Sequence, residues 1–149
     1  MRKKEIEAAA KKREEYFAQF PDWYWKHGLH DAIILSACEL ELEPDWKGKH
    51  PKRNCLEILL DSQNALFERN IKRISLYNYR ITGMKMYATE PIALEAFRNV
   101  YWMGDRIEQL EDGKYVLEIE CTDSHNNLMY LSVEFETPEI EQKEEAHPI

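Results

Sequence analysis

The sequence predicts an α+β fold, in which an antiparallel sheet of five or six strands carries an N-terminal helix and a second helix packed on it. Two observations lead to this prediction. Residues 115–135 alternate apolar and polar side chains in two runs, which is the period of strands with one buried face. Residues 3–20 carry apolar side chains at helical spacing. The 149 residues, 44% hydrophobic and 32% charged, suit one globular domain, residues 1–149, with a single core.

The two runs within residues 115–135 predict a hairpin in a defined register. The facing pairs would be Tyr115 with Phe135, Leu117 with Val133, Ile119 with Leu131, and Cys121 with Met129. All eight side chains then share one face, and residues 123–127 form a loop of residue types that favour turns. A shift of one residue would turn one strand's apolar side chains to the other face, so the pattern favours this register alone.

Two helices are predicted. The first covers residues 3–20, and Pro21 ends it because the residue before a proline disfavours the helical conformation. The second covers residues 89–100, where Thr89 or Glu90 would cap the helix and Pro91 suits its first turn. Its apolar face would consist of Ile92, Leu94, Ala96, Phe97 and Val100.

Further strands are predicted at residues 33–43, 55–61 and 71–81, and residues 105–110 lead into the hairpin through the turn 111–114. A two-residue turn would place Leu110 opposite Tyr115. A three-residue turn with Gly113 in a bulge would place Ile107 opposite Leu117, and the sequence leaves both turns open. Residues 137–149 are expected to be an acidic, frayed tail.

The negative charge is concentrated in the last third of the chain. The net charge is −8, and residues 105–149 hold thirteen acidic and three basic residues. Such a balance favours a cationic partner and disfavours nucleic acid and anionic membranes. The three cysteines fall within predicted strands, and neither a signal peptide nor an apolar run of about 18 residues is recognisable. We therefore expect reduced cysteines and a cytoplasmic protein.

The acidic residues of the last third predict a surface for a basic protein partner. In the hairpin register the glutamates alternate with the apolar residues, so they would share the solvent-exposed face of the sheet. The predicted partner-binding residues are Glu108, Glu111, Asp112, Glu118, Glu120, Tyr130 and Glu134. No HExxH, CxxC, GxGxxG, Walker A or G-x-S-x-G motif occurs. The leading hypothesis is a binding protein without catalytic residues, metal or cofactor.

A rival hypothesis is a small metal-dependent hydrolase, or a ligand-binding domain, centred on the segment 23–31. Its candidate residues are Trp23, Trp25, His27, His30 and Asp31. The tryptophans could stack on a sugar or a base, and the i,i+3 histidines could hold a metal if the segment were helical. Gly28 favours a turn instead. We therefore favour aromatic side chains that anchor the core and a buried, hydrogen-bonded corner at His30 and Asp31.

The segments WKHGLHDAIILSACELELE, CLEILLD and IKRISLYNYRI resemble a pattern of small bacterial α+β domains. The matching residues are His30, Asp31, Ala32 and Ile34, followed by the strand alternation of residues 55–81. The resemblance covers about a third of the chain. Some of these domains are immunity proteins encoded beside polymorphic toxins. The resemblance implies a toxin-neutralising or other binding role, and no catalytic residue carries over.

Overall fold

The computed structural model describes residues 2–47, 51–87 and 89–143, and in this part of the chain nine strands form one antiparallel sheet. An N-terminal helix, α1 (Arg2–Ala18), precedes the sheet, and a short 3₁₀ helix (Leu94–Ala96) interrupts it. The strands are β1 (Ile33–Leu42), β2 (Arg53–Asp61), β3 (Ile71–Tyr77), β4 (Arg80–Met86), β5 (Glu90–Pro91), β6 (Val100–Gln109), β7 (Tyr115–Thr122), β8 (Leu128–Phe135) and β9 (Thr137–Gln142). An α+β fold with an antiparallel sheet is confirmed, but the expected number of five or six strands is wrong.

The larger number of strands arises where two long strands bend. The predicted strand 71–81 is interrupted at Asn78, which has a φ of 53°, so it forms β3 and β4. Asparagine tolerates this left-handed conformation better than most residues. The segment β8–β9 bends beside it, where the Glu136 amide donates to the Tyr77 carbonyl at 3.0 Å. The strand order is β5-β4-β8-β7-β6-β1-β2-β3-β9. Strands β3 and β4 follow each other in the chain, as do β8 and β9, yet the members of each pair lie in opposite halves of this order. The two bends therefore connect the two halves, and the sheet curls around one core.

The core draws on both halves of this curled sheet. Fully buried side chains come from β2 and β3 on one side and from β7 and β8 on the other. They include Leu56, Ile58, Ile74, Leu76, Leu117, Ile119, Met129 and Phe135. The alternation of apolar residues in these strands therefore has its physical origin in a single buried layer of side chains.

The β7–β8 hairpin has the predicted register in every pair. Tyr115 faces Phe135, Ile119 faces Leu131 and Cys121 faces Met129. Five residues separate the hairpin's facing ends at residues 122 and 128, and the carboxylate of Asp123 accepts hydrogen bonds from the backbone of His125 and Asn127, each at 2.9 Å. These bonds lower the pKa of Asp123.

The turn between β6 and β7 is the three-residue alternative. Ile107 faces Leu117, and the amide of Gly113 donates to the Leu110 carbonyl at 3.0 Å. Gly113 has a φ of 91°, a conformation that side chains rarely adopt. This register places Asp105 opposite Ile119, on the side of β6 that faces the core.

Helix α1 lies where it was predicted, but none of its residues is buried. The expectation that it packs along the sheet is therefore wrong. Among the described residues, ring contacts join only its C-terminal end to the segment after it: the ring of Tyr16 lies 5.1 Å from that of Phe20 and 6.5 Å from that of His27. The reason is the narrow apolar stripe, in which alanines stand where larger side chains would be needed to bury area.

The predicted helix at residues 89–100 is also wrong. This stretch contains the two-residue strand β5 and the 3₁₀ helix, and it turns at Asn99 with a φ of 55°. Leu94 and Phe97 are instead buried individually in the core. Ile92, Leu94, Ala96, Phe97 and Val100 do not form one stripe at helical spacing, so no continuous helical face was available for burial.

The expected frayed tail is wrong for residues 137–142, which form β9 beside β3. Ile140 faces Ile74, and Lys72 forms an ion pair with Glu141 at 2.9 Å. Lys72 and Arg73 lower the pKa of Glu141. Of the acidic residues in β9, Glu141 is thus matched by Lys72 and Arg73 of β3, and Glu139 accepts a hydrogen bond from the Tyr77 hydroxyl at 3.1 Å. Residues 144–149 of the predicted tail lie outside the described residues.

The three cysteines are free, and they differ in exposure. Cys38 is exposed on β1, whereas Cys55 and Cys121 are buried. Burial raises the pKa of Cys121 to about 12. No helix within the described residues has the length and apolar character that crossing a membrane requires.

These environments predict the reactivity of the three thiols. In the native protein at pH 8, one equivalent of thiol, Cys38, is expected to react with a disulfide reagent at least about 100-fold faster than the other two, because the thiolate is the reactive species and needs access. A time course of colour release measures the rates. Cys38→Ser should remove the fast phase, and unfolding in urea should release all remaining thiols. Rapid reaction of two or three thiols in the native state would contradict the placement of Cys55 and Cys121.

Candidate functional site

The strands β4, β8, β7 and β6 present one side to solvent, and we call this side the outer face. The registers of these strands place facing residues on the same side. The outer face comprises Arg80 and Lys85 of β4, Tyr130, Ser132 and Glu134 of β8, Val116, Glu118 and Glu120 of β7, and Gly104, Arg106 and Glu108 of β6.

The outer face brings together most of the predicted partner-binding residues. Glu118, Glu120, Tyr130 and Glu134 lie on it, as the hairpin register requires, and the three-residue turn between β6 and β7 adds Glu108. The remaining two, Glu111 and Asp112, lie in the turn after β6, where the Asp112 carboxylate accepts a hydrogen bond from the Lys114 amide at 3.0 Å.

Basic residues of the same chain neutralise part of this surface. Arg80 forms an ion pair with Glu134 at 2.7 Å, and Arg106 lies 3.3 Å from Glu118. Lys85 lies over the ring of Tyr130, 5.1 Å from its centroid. The free negative charge of the outer face is therefore confined to fewer residues than the sequence indicated.

A hollow of about 260 Å³ opens on the outer face above Gly104. A β-bulge at Met103 shifts the register of β6 just before this glycine, and a Cβ built on Gly104 would meet no atom within 4 Å. The hollow is lined by Gly104, Asp105, Arg106, Glu118, Glu120 and Tyr130. The absence of a side chain at Gly104 thus creates a space between Arg106 and Glu120.

Glu120 gives this hollow its chemistry. It is exposed, and within the described ranges it forms no salt bridge, in contrast to Glu118 and Glu134. Burial raises the pKa of Tyr130, with a hydrogen bond to Glu118 adding to the rise, so its hydroxyl stays protonated at neutral pH. The hollow thus holds a carboxylate, that of Glu120, beside the ring of Tyr130 and the open space above Gly104. This arrangement suits an ammonium or guanidinium group.

The aromatic residues of the rival site pack in or against the core of the protein. Tyr24 and Trp25 are each 3% exposed. Trp23 is half-buried and packs edge-on against Tyr115 at 5.3 Å and Phe135 at 5.9 Å. The interpretation of this segment as a core anchor is confirmed for Tyr24 and Trp25, and Trp25 offers no exposed ring face to a ligand.

The two histidines of the rival site turn to different carboxylates. The Nδ1 of His27 lies 3.3 Å from Asp105, whereas the Nδ1 of His30 lies 3.2 Å from Asp31. The side chains of His30 and Asp31 are 43% and 58% exposed, so the two residues pair as expected but the expectation of a buried corner is wrong. The structure does not bring His27, His30 and Asp31 together as a ligand set. Across residues 2–47, 51–87 and 89–143, no three His, Cys, Asp or Glu side chains are grouped so that they could hold a metal ion.

Asp105 is the chemically important residue that the sequence interpretation missed. Its side chain is 1% exposed, and its carboxylate accepts hydrogen bonds from the indole Nε1 of Trp25 at 2.9 Å, the indole Nε1 of Trp102 at 2.8 Å, and the hydroxyl of Tyr24. Burial and the nearby carboxylate raise the pKa of Tyr24. The hydrogen bonds to this buried carboxylate hold the segment 23–27 against strand β6. The sequence could have indicated it in one way: if the turn between β6 and β7 has three residues, the register places an aspartate, Asp105, on the core face of β6.

The hollow above Gly104 is thus defined by geometry, and comparison with known proteins assigns no role to its residues. No protein-family model matches the sequence, and the searches of curated proteins and of solved structures give no significant match.

Proposed function

We propose that the protein is a non-catalytic binding protein that receives a basic side chain of a protein partner in the hollow above Gly104. The observation that carries the proposal is the exposed carboxylate of Glu120, which lines an open space and forms no salt bridge in the described part of the chain. The net charge of −8 supports long-range attraction of a cationic partner, which speeds encounter.

Apolar side chains beside the hollow supply contact area for such a partner. Thr122 faces Tyr101 on one neighbouring strand and Leu128 on the other. Tyr101 and Leu128 are 43% and 48% exposed. With Thr122 they form the next set of facing residues on the same side of the sheet after Gly104, Glu120 and Tyr130. Tyrosine is one of the residue types enriched where binding energy is concentrated at protein interfaces, and Leu128 adds apolar contact area.

Immunity-type inhibition is the form of binding that we favour. The resemblance at His30, Asp31, Ala32 and Ile34 to bacterial immunity domains supports it, and the partner would then be a basic toxin domain. These four residues would act as scaffold in this proposal, because Ala32 and Ile34 are buried and Asp31 is paired with His30. The contact with the partner would come from the outer face.

The proposal predicts the effect of two substitutions on binding of a labelled nona-arginine peptide at low ionic strength. Glu120→Gln should weaken binding about fivefold, which corresponds to about 1 kcal/mol for one partly exposed charge pair. Gly104→Val should weaken binding to a similar extent without changing the charge, because it fills the hollow. Fluorescence anisotropy measures both effects.

The matched control is Glu15→Gln, which removes the same charge from the exposed helix α1. It should change the dissociation constant less than twofold. Equal losses for Glu120→Gln and Glu15→Gln would mean that the peptide senses only net charge, and unchanged binding in Gly104→Val would exclude the hollow as the contact site.

A further inference from the structure

Strand β1 has a free edge along most of its length. On one side it pairs with β2 from Ile33 to Leu42. On the other side, among the described residues, only Ile33 and Ile34 pair with a strand, namely β6. Residues 36–42 therefore present unpaired backbone groups over about 23 Å, at roughly 3.3 Å per residue.

Open space lies beside this free edge. One cavity of about 350 Å³ separates Leu35–Cys38 of β1 from Glu95, Phe97 and Arg98. A second cavity of about 540 Å³ continues along Ala37–Glu39 towards Met84 and Leu94. The two cavities share Ala37, Cys38 and Glu95, so together they form one groove along β1.

Among the described residues, the two outermost strands of the sheet, β9 and β5, are protected against strand addition by a proline, and this edge is not. The outer edge strand β9 contains Pro138 and two glutamates, and β5 is two residues long and ends in Pro91. Proline and short length are two of the usual protections of an edge. Residues 36–42 contain no proline, and the exposed residues at this edge include Leu35 at 41% and Leu40 at 38%.

We propose that the free edge of β1 binds an extended segment of a partner protein as an added strand, with basic side chains alternating with aliphatic ones. Glu39 and Glu41 lie on one side of β1, whereas Cys38, Leu40 and Leu42 lie on the other. An added strand places its own residues opposite these two rows, so the charges of Glu39 and Glu41 select lysine or arginine and the other row selects aliphatic residues.

The same charges argue against a second copy of the chain as the occupant. Two β1 edges pairing antiparallel about Leu40 would set Glu39 of each copy opposite Glu41 of the other. Like charges in directly facing positions destabilise a pair of strands. In the described part of the chain, Glu41 forms an ion pair with Lys52 at 3.7 Å, with both side chains largely exposed. The proposed edge shares no residue with the hollow above Gly104, so it stands independently of that site.

The test uses the full chain and a nine-residue synthetic peptide of alternating lysine and valine. A second peptide of the same sequence carries N-methyl groups on alternate backbone amides, which removes strand hydrogen bonds but keeps every side chain. The unmodified peptide should bind and slow amide hydrogen exchange within residues 36–42. The N-methylated peptide should bind at least about tenfold more weakly, since main-chain hydrogen bonds provide much of the affinity in strand addition.

Charge variants complete the test. Glu41→Lys should weaken binding of the unmodified peptide about tenfold, whereas Glu15→Lys on α1, with the same change of charge, should weaken it much less. Equal binding of both peptides would overturn the proposal, as would slowed exchange confined to β6, β7 and β8. Protection of residues 36–42 that grows with protein concentration alone, together with dimer formation, would assign the edge to a second copy and reject the proposed occupant.

Discussion

Replacing Asp105 by asparagine is expected to lower the free energy of unfolding by about 3 kcal/mol. Losses of about this size are found when one member of a buried, charged hydrogen-bond network is removed. The carboxylate has two oxygens that accept hydrogen bonds from Trp25, Trp102 and Tyr24. An asparagine side chain offers one oxygen, and its NH₂ group would face a donor. With the amide oxygen beside the two indoles, the Tyr24 hydroxyl would lose its carboxylate acceptor and have only the Nδ1 of His27 left, at 3.1 Å. In the other orientation both buried indole N–H groups would lose their acceptor. In either orientation the remaining hydrogen bonds lose the strengthening effect of the carboxylate charge.

Urea unfolding, followed by tryptophan fluorescence and by circular dichroism, measures this loss. Asp112→Asn is the matched control, since Asp112 accepts a single backbone hydrogen bond in an exposed turn, and it should cost less than about 1 kcal/mol. Trp102→Phe keeps most of the buried ring but removes one donor, so its cost should fall between the two. An Asp105→Asn protein within 1 kcal/mol of the wild type would show that the network contributes little.

The role of Asp105 explains why this part of the molecule could not be predicted. The sequence allowed two turns between β6 and β7, and only the three-residue turn places Asp105 on the core face opposite Ile119. Its donors come from Tyr24 and Trp25, which are about eighty residues away in the chain. A hydrogen-bond network between such distant segments leaves no periodic pattern in the sequence.

The β7–β8 hairpin could be predicted because one rule decided every pair in it. Period-2 alternation marked both strands, and burial on one face left a single register. The pattern failed where backbone conformation decides instead. The bend at Asn78 and the turn at Asn99 depend on left-handed residues, and neither interrupts the run of apolar residues around it.

The candidate site could be predicted in part for the same reason. The register placed Glu118, Glu120 and Tyr130 on one face, and they line the hollow. The ion pair of Glu134 with Arg80 could not be predicted, because it requires the pairing of β4 with β8 across 54 residues of sequence. The opening above Gly104 depends on the bulge at Met103, which the sequence does not signal either.

Removing residues 137–149 is expected to destabilise the protein by about 4 kcal/mol, or to prevent folding. The truncation deletes β9, whose backbone hydrogen bonds with β3 contribute about 1 kcal/mol each, and it uncovers the edge of β3. Ile74, which is fully buried, loses Ile140 as its neighbour and gains access to water. A frayed tail would contribute none of this stability.

The comparison that isolates β9 is a second truncation that removes only residues 144–149. Urea midpoints of the two truncated proteins and the full chain separate the contribution of β9 from that of the residues after it. If the longer truncation yields no folded protein, Ile140→Ala provides the measurement, with an expected cost of about 1 to 2 kcal/mol for a partly buried side chain. Equal midpoints for the full chain and the chain ending at Glu136 would mean that β9 is not part of the stable sheet. Because β8 and β9 bend together with β3 and β4, loss of β9 should also weaken the link that closes the curled sheet around its core.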